Sequence, residues 1–246
     1  MKLIPAGIEN FKEMIDKNAY YVDKTNLIID VLNEQVVFCT RPRRFSKTLN
    51  MSMLYYFFSI KEKENAYLFD YLNISKNKEA IKHQNQYPTL FITLKDMKNS
   101  SYEKQMNRFK EVICLCAKNF LELLNSDILL DSEKKLFQKY VDNETEDNEL
   151  EKSLFNISYF LYKHYHQKVI ILIDEYDVPL DKAFQNGYYR EMVSLIRAMF
   201  GDALKTNDFL QFAVLTGCLR VSKESIFTGL NNFKVLSIAD TRFDEQ

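Results

Sequence analysis

Val169-Ile-Ile-Leu-Ile-Asp-Glu175 sets five apolar residues directly against two adjacent carboxylates. A run that short and that apolar reads as a strand buried on both faces, of the kind found at the centre of a parallel sheet. Acids at the C-terminal end of such a strand stand at the rim where open α/β sheets bind their ligands. In nucleotide hydrolases the first acid of such a pair holds Mg²⁺ and the second polarises the attacking water. The same letters also describe a strand that ends in a solvated acidic turn, so the meaning of Asp174 and Glu175 depends on what else the chain supplies.

Upstream, Gln35-Val-Val-Phe-Cys-Thr40 is a second short apolar run. It opens into Arg41-Pro-Arg-Arg-Phe-Ser-Lys-Thr48, followed by the helical spacing of Leu49, Met53, Tyr56 and Phe57. Strand, tight loop, Lys-Thr and helix is the order a phosphate-binding loop requires, because backbone N–H groups and the positive end of the helix dipole then converge on an anion. On that reading Arg41, Pro42, Arg43, Arg44, Phe45, Ser46, Lys47, Thr48 and Leu49 cradle the phosphates. Lys47 reaches the terminal phosphates, and the Thr48 hydroxyl joins Asp174 in holding Mg²⁺. The pattern G-x-x-x-x-G-K-[ST] asks for glycine where Arg41 and Ser46 stand. Glycine is wanted where backbone approaches phosphate or takes positive φ, so a serine at a left-handed position 46 costs about 1 kcal/mol or more. The plain alternative is a basic loop ahead of a core helix.

Several blocks, in order along most of the chain, carry a specific resemblance. They are Pro5-Ala-Gly-Ile-Glu-Asn-Phe11, Tyr21-Val-Asp-Lys-Thr25, Arg41 to Leu49, Ile173-Asp-Glu-Tyr-Asp-Val-Pro-Leu180, Leu215-Thr-Gly-Cys-Leu-Arg220 and Phe227-Thr-Gly-Leu-Asn-Asn232. Together they resemble the AAA-ATPase-like family of bacterial and archaeal P-loop proteins, many of which carry a PD-(D/E)XK-type nuclease domain after the ATPase. The resemblance implies an α/β P-loop NTPase of the additional-strand type, with a five-stranded, mainly parallel sheet sandwiched by helices. It implies ATP and Mg²⁺ as ligands. The family usually has Arg-Pro-Arg-Arg-Phe-Gly-Lys, so Arg41 belongs to the pattern and Ser46 is this sequence's departure, bearing on hydrolysis more than on fold. In such proteins a further strand separates the Lys47 strand from the Asp174 strand, and Phe209–Thr216 is the candidate. Thr216 then occupies the sensor position, reading the γ-phosphate or the water. Arg220 reaches phosphate in cis, acts on a neighbouring subunit, or is a surface charge. Arg41, Arg43 and Arg44 neutralise phosphate, make structural ion pairs or meet nucleic acid. Tyr21, Asp23 and Lys24 form a block whose guessed role is a base- or ribose-side contact. The expected organisation is a helical lead-in, residues 1–34, packed on an ATPase-like core, residues 35–246. The family's nuclease domain would begin beyond residue 246, so contact with nucleic acid through such a domain is an expectation about residues this sequence lacks.

Composition bounds the function classes. The 246 residues, 46% hydrophobic, suffice for one large α/β core. A net charge of −1 gives no global electrostatic footprint for nucleic acid. Four cysteines without a Cys/His spacing pattern suit a reduced, cytoplasmic protein. Cys114 and Cys116 read as small core residues, and His164 and His166 as last-turn helix residues. No apolar run is long enough to span a membrane, and Met1-Lys-Leu-Ile-Pro5 is too short in apolar content for a signal peptide. Only 5 glycines and 4 prolines point to a helix-rich domain with few tight loops.

Between the motifs, Ile8, Phe11 and Ile15 mark a first helix, and Thr25 caps a second with Leu27, Ile28, Val31 and Leu32. Residues 61–86 carry weak signals. Thr89–Leu94 is a strand. Ser100-Ser-Tyr-Glu103 has capping-box spacing before the periodic Met106, Phe109, Ile113 and Cys116. Ser132 starts another helix, Asp142–Glu151 reads as a solvated acidic loop, and Leu154, Ile157, Leu161 and Tyr165 make the helix before Val169. Asn186-Gly187 is a turn, Met192, Leu195, Ile196 and Met199 mark a helix, and Phe233–Ile238 is the last strand. Pro179 ends the strand turn, and Asp177 orients a nearby Arg or Lys. Two other readings remain. Ser46 admits a nucleotide-binding switch with little hydrolysis. Asp96-Met97-Lys98 after the Thr89 strand, with Asp70 upstream, formally reads as the D-x-K of a metal-dependent nuclease.

Overall fold

A computed structural model describes residues 4–5, 7–40, 46–218 and 233–237 of the chain. Its sheet has five parallel strands, β1 (Val36–Thr40), β2 (Thr89–Thr93), β3 (Val169–Asp174), β4 (Leu210–Gly217) and β5 (Phe233–Ser237), in the order β2-β3-β4-β1-β5. The expected extra strand is β4, which lies between β1 and β3. Parallel neighbours require crossovers, and helices supply them on both faces of the sheet. The helices are α1 (Phe11–Asp16), α2 (Leu27–Leu32), α3 (Lys47–Phe58), α4 (Lys78–Ile81), α5 (Tyr102–Lys118), α6 (Asp131–Asp142), α7 (Asp147–Glu151), α8 (Ser153–Tyr165), α9 (Val178–Asn186) and α10 (Tyr189–Leu204).

Side chains of a strand alternate between faces, and that alternation sorts the core in two. Val169, Ile171 and Ile173 of β3 join Leu215 of β4 in a cluster with Phe109 of α5, Leu154 of α8 and Ile196 of α10. Ile170 and Leu172 join Phe212, Val214 and Val37 in a second cluster with Met53 and Phe57 of α3, Phe11 of α1 and Ile28 of α2. All six residues of β3 are buried, as its unbroken apolar run requires. By the same parity Asp174 and Thr216 face the layer that contains α3. That helix is buried on nearly every side, including its polar residues Lys47, Asn50 and Ser52. The Ser52 hydroxyl accepts from the Phe11 N–H at 2.9 Å and so docks α1 onto α3.

Several local expectations shift. Thr25 does not cap α2, since the cap position is Asn26. The Thr25 hydroxyl instead donates to Asp23 Oδ1 at 2.6 Å and accepts from the Ile74 N–H. Asp23 accepts from the Thr25 N–H at 2.9 Å and, through Oδ2, from the Asn73 N–H at 2.7 Å. The Tyr21 hydroxyl accepts from the Lys24 N–H. The Tyr21–Thr25 block is thus a structural knot, and the guess of a base- or ribose-side contact gains nothing from it. Ser101 rather than Ser100 caps α5. Helix α6 begins at Asp131, with the Glu133 carboxylate accepting from the Leu130 N–H at 2.8 Å. The acidic stretch is not all loop, because it folds into α7 around the buried Leu150. Residues 61–86 hold two 3₁₀ segments and α4. Pro179 lies in the first turn of α9, where its missing N–H costs no helix bond, so it starts a helix rather than ending a turn.

Cys114 and Cys116 are buried, and burial pushes the Cys116 thiol up to about 12, as fits an inert core residue. His164 binds the Ser126 hydroxyl at 2.9 Å, and His166 closes α8 in the left-handed region. Among the described residues no helix is long and apolar enough to cross a membrane. Replacing Asp23 by Ala leaves the Thr25 and Asn73 N–H groups without their acceptor. Urea unfolding should show a loss of about 1–3 kcal/mol with the m-value unchanged.

Candidate functional site

The acid pair meets the Lys-Thr helix because sheet parity and register leave no other arrangement. Ile173 is paired with Leu215, so the next residues, Asp174 and Thr216, stand side by side at the end of the sheet. The Thr216 hydroxyl donates to Asp174 Oδ1. From across the layer, the Thr48 hydroxyl donates to Asp174 Oδ2 at 2.9 Å. Asp174 has no exposed surface. Burial raises its pKa above the ordinary carboxylate range, against the two hydroxyl bonds and the nearby Lys47 ammonium, which hold it down.

Glu175 is half-buried and takes φ 56°, a left-handed conformation that side chains rarely adopt. Its N–H points to the Thr216 hydroxyl at 3.3 Å, and the Tyr176 N–H donates to the Thr216 carbonyl at 3.0 Å. The chain therefore bends sharply while staying attached to β4. Burial, then the neighbouring Asp174, raise the Glu175 pKa, and Lys47 and Lys95 oppose the rise. Asp177 is buried, and its Oδ2 accepts from the Cys218 N–H at 2.8 Å. An added Cβ at Gly217 would lie 2.8 Å from the Tyr176 ring and 2.9 Å from Asp177 Oδ1, so only glycine lets the two loops approach this closely.

Lys47 opens α3 and is 6% exposed, with Nζ 3.1 Å from Cys218 Sγ. Ser46, just before it, has φ 54° and ψ 26°. That is the left-handed region, so position 46 does demand what glycine supplies without strain, and serine costs about 1–2 kcal/mol there. The first-turn N–H groups of α3 have no intrahelical acceptors, and they open toward the same space as Lys47.

That space is a cavity of about 570 Å³. Ser46–Leu49 form one wall and Glu175 the sheet side. The remaining wall is Pro5, Gly7, Ile8 and Glu9 of the N-terminal segment. Sequence reasoning gave those residues no part in the site, and it set Ile8 in a first helix that in fact begins at Phe11. The structure brings together Lys47, Thr48, Asp174, Glu175 and Thr216, with Ser46 and Leu49 beside them. Arg41, Pro42, Arg43, Arg44, Phe45 and Arg220 lie outside the described residues, so their expected contacts stay expectations. Hard oxygen donors from Thr48 and a buried Asp174 suit Mg²⁺, and the helix start with Lys47 suits a phosphate chain.

A five-stranded parallel sheet of order 2-3-4-1-5, with the Lys-Thr helix after β1 and the acid pair ending β3, is the architecture of additional-strand P-loop NTPases. The chain belongs to the AAA-ATPase-like family, described as predicted AAA-ATPases, whose pattern matches residues 5–227. An uncharacterized protein in the vnfD 5′ region of Azotobacter chroococcum mcd 1 is 26% identical over 249 residues, covering 98% of this chain and 42% of that protein. The chain thus spans about two fifths of that relative's length. No solved structure matches it.

Because the native state raises the Asp174 pKa, the stability this group contributes exists at acid pH and is lost as pH rises through that value. At neutral pH the ionised, buried carboxylate is a net cost. Asp174→Asn should therefore raise the Tm at pH 7, without Mg²⁺ or nucleotide, by about 2–4 °C, and the gap should narrow as the pH is lowered. An unchanged or lower Tm in thermal scans would contradict this.

Proposed function

We propose that the chain binds ATP with Mg²⁺ and hydrolyses it, driving a conformational change in a partner or an attached domain. The observation that carries this reading is the pair of hydroxyl bonds from Thr48 and Thr216 onto the two oxygens of one buried carboxylate, Asp174. A fold does not need an ionisable group there, and its burial is unfavourable unless the group has a task. Mg²⁺, when bound, would neutralise phosphate charge and orient the terminal phosphate.

The rest follows from the chain's own groups. Lys47 leads the helix that opens on the cavity and neutralises the terminal phosphates. Thr48 and Asp174 supply the hard oxygen ligands. Glu175, raised in pKa yet beside Lys47 and Lys95, orients and polarises the attacking water. Thr216 holds the Asp174 carboxylate and the Glu175 backbone N–H, and reports on the terminal phosphate. Arg220 and the arginines of residues 41–44 add positive charge in this proposal.

Glu175→Gln should keep ATP·Mg²⁺ binding and lose turnover by at least about a hundredfold, measured by phosphate release. Lys47→Ala should lose binding, measured by titration with a fluorescent ATP analogue. Turnover unchanged in Glu175→Gln would remove Glu175 from the mechanism.

A second reading, a nucleotide switch with little hydrolysis, is favoured by the left-handed Ser46. Ser46→Gly relieves the strain and should stabilise the protein by about 1 kcal/mol. Turnover within about threefold of wild type means that serine is tolerated; a gain of tenfold or more means that the native site is a crippled one. The nuclease reading draws no support from geometry. Among the described residues no group of three His, Cys, Asp or Glu side chains converges to hold a metal, and Asp96 lines a separate hollow with Arg108.

A further inference from the structure

We propose that Lys95 is a positioning residue for Glu175 and, through its ion pair with Glu9, the latch that fastens the N-terminal segment Gly7–Glu9 along the mouth of the nucleotide cavity. The inference rests on the nucleotide reading of the cavity for its catalytic half and on geometry alone for its latch half.

Strand pairing puts Lys95 where it stands. Thr93 is the register partner of Asp174, and the Leu94 N–H donates to the Asp174 carbonyl at 2.9 Å. Lys95 follows Leu94, and Glu175 follows Asp174, so both leave the sheet just past its last paired residues at the same rim. Lys95 Nζ then lies 2.6 Å from Glu9 Oε2, closing a link between residues 86 apart in sequence. Glu9 and Glu175 both line the cavity. Lys95 thus stands between two carboxylates of one pocket, held by the first and bearing electrostatically on the second.

Two acids line this pocket, Glu9 and Glu175, and the buried Asp174 and Asp177 add their charge to Glu175 from behind. Among the described residues, Lys47 and Lys95 oppose the charge on Glu175. A phosphate chain at the start of α3 directs Lys47 toward itself. Lys95 is then the described cation left to hold Glu175, and Glu9 sets how far Lys95 leans toward it. As a stabilising device the pair would matter little, since its side chains are 40% and 55% exposed. Its consequence lies in where it sits.

The test uses the whole chain, with kcat and KM for ATP·Mg²⁺ and hydrogen–deuterium exchange of Gly7–Phe11. Lys95→Gln should lower kcat roughly ten- to hundredfold, with ATP·Mg²⁺ affinity changed less than about threefold, and should speed exchange of the Gly7–Glu9 amides. Lys95→Arg should restore most of kcat and the protection. Glu9→Gln should speed exchange of the same amides. If Lys95→Gln leaves both kcat and exchange unchanged, Lys95 is a solvated lysine and the proposal fails while the ATPase reading stands. If wild type turns over no ATP, that reading fails, and the exchange comparison still decides the latch.

Discussion

The Asp174 carboxylate joins three elements at one point. It ends β3, accepts a hydroxyl from α3 through Thr48 and another from β4 through Thr216, and has no contact with water. A buried carboxylate is costly unless its oxygens are engaged, so each hydroxyl keeps the other elements in place. Loss of either would leave part of an anion unpaired in the core, at about 1–3 kcal/mol or more. The arrangement also fixes the interval between the helix that opens on the cavity and the rim that carries Glu175. In this sense the stability of the domain and the geometry of its site share one set of atoms.

Much of this was legible because it depends on periodicity. The five apolar residues before Asp174 read as a strand buried on both sides, and period two then decides which layer Asp174 faces. Lys47-Thr48 after a short apolar run marks a helix start by local order alone. The role of β4 as the inserted strand came from the family resemblance, because nothing in Leu210–Gly217 itself says which neighbours it takes. What could not be read depends on partners far apart in sequence. Asp23 is tied to Asn73, which lies in a stretch without pattern. Glu9 finds Lys95 only once α1 has docked on α3, across 86 residues of sequence. The misjudged caps have a different cause. Ser100 and Ser101 are equally good cap residues, so one position of register was undecidable. In the acidic stretch, Leu150 alone anchors a helix that charge density would otherwise dissolve.

Two of the left-handed non-glycine residues, Ser46 and Glu175, line the cavity. Backbone in this region costs about 1–3 kcal/mol at each site and persists only where surrounding structure over-determines it. For Glu175 the determinants are visible. Its own N–H and that of Tyr176 are both held by Thr216, and Gly217 yields the room for Tyr176 and Asp177 to pack behind the bend. Ser46 sits exposed and makes no side-chain capping bond, so its own side chain does not account for its conformation.

The position of β1 between β4 and β5 has a bearing on biosynthesis. Val36–Thr40 pairs on one side with residues 213–217 and on the other with residues 233–237. On the ribosome this apolar segment emerges early and waits, without a sheet neighbour, until residues 213–217 have followed. Such long-delayed pairing slows assembly and leaves an adhesive strand uncovered meanwhile. Heterologous production therefore ought to favour slow translation at low temperature with a chaperone that shields nascent β-strands, rather than rapid induction.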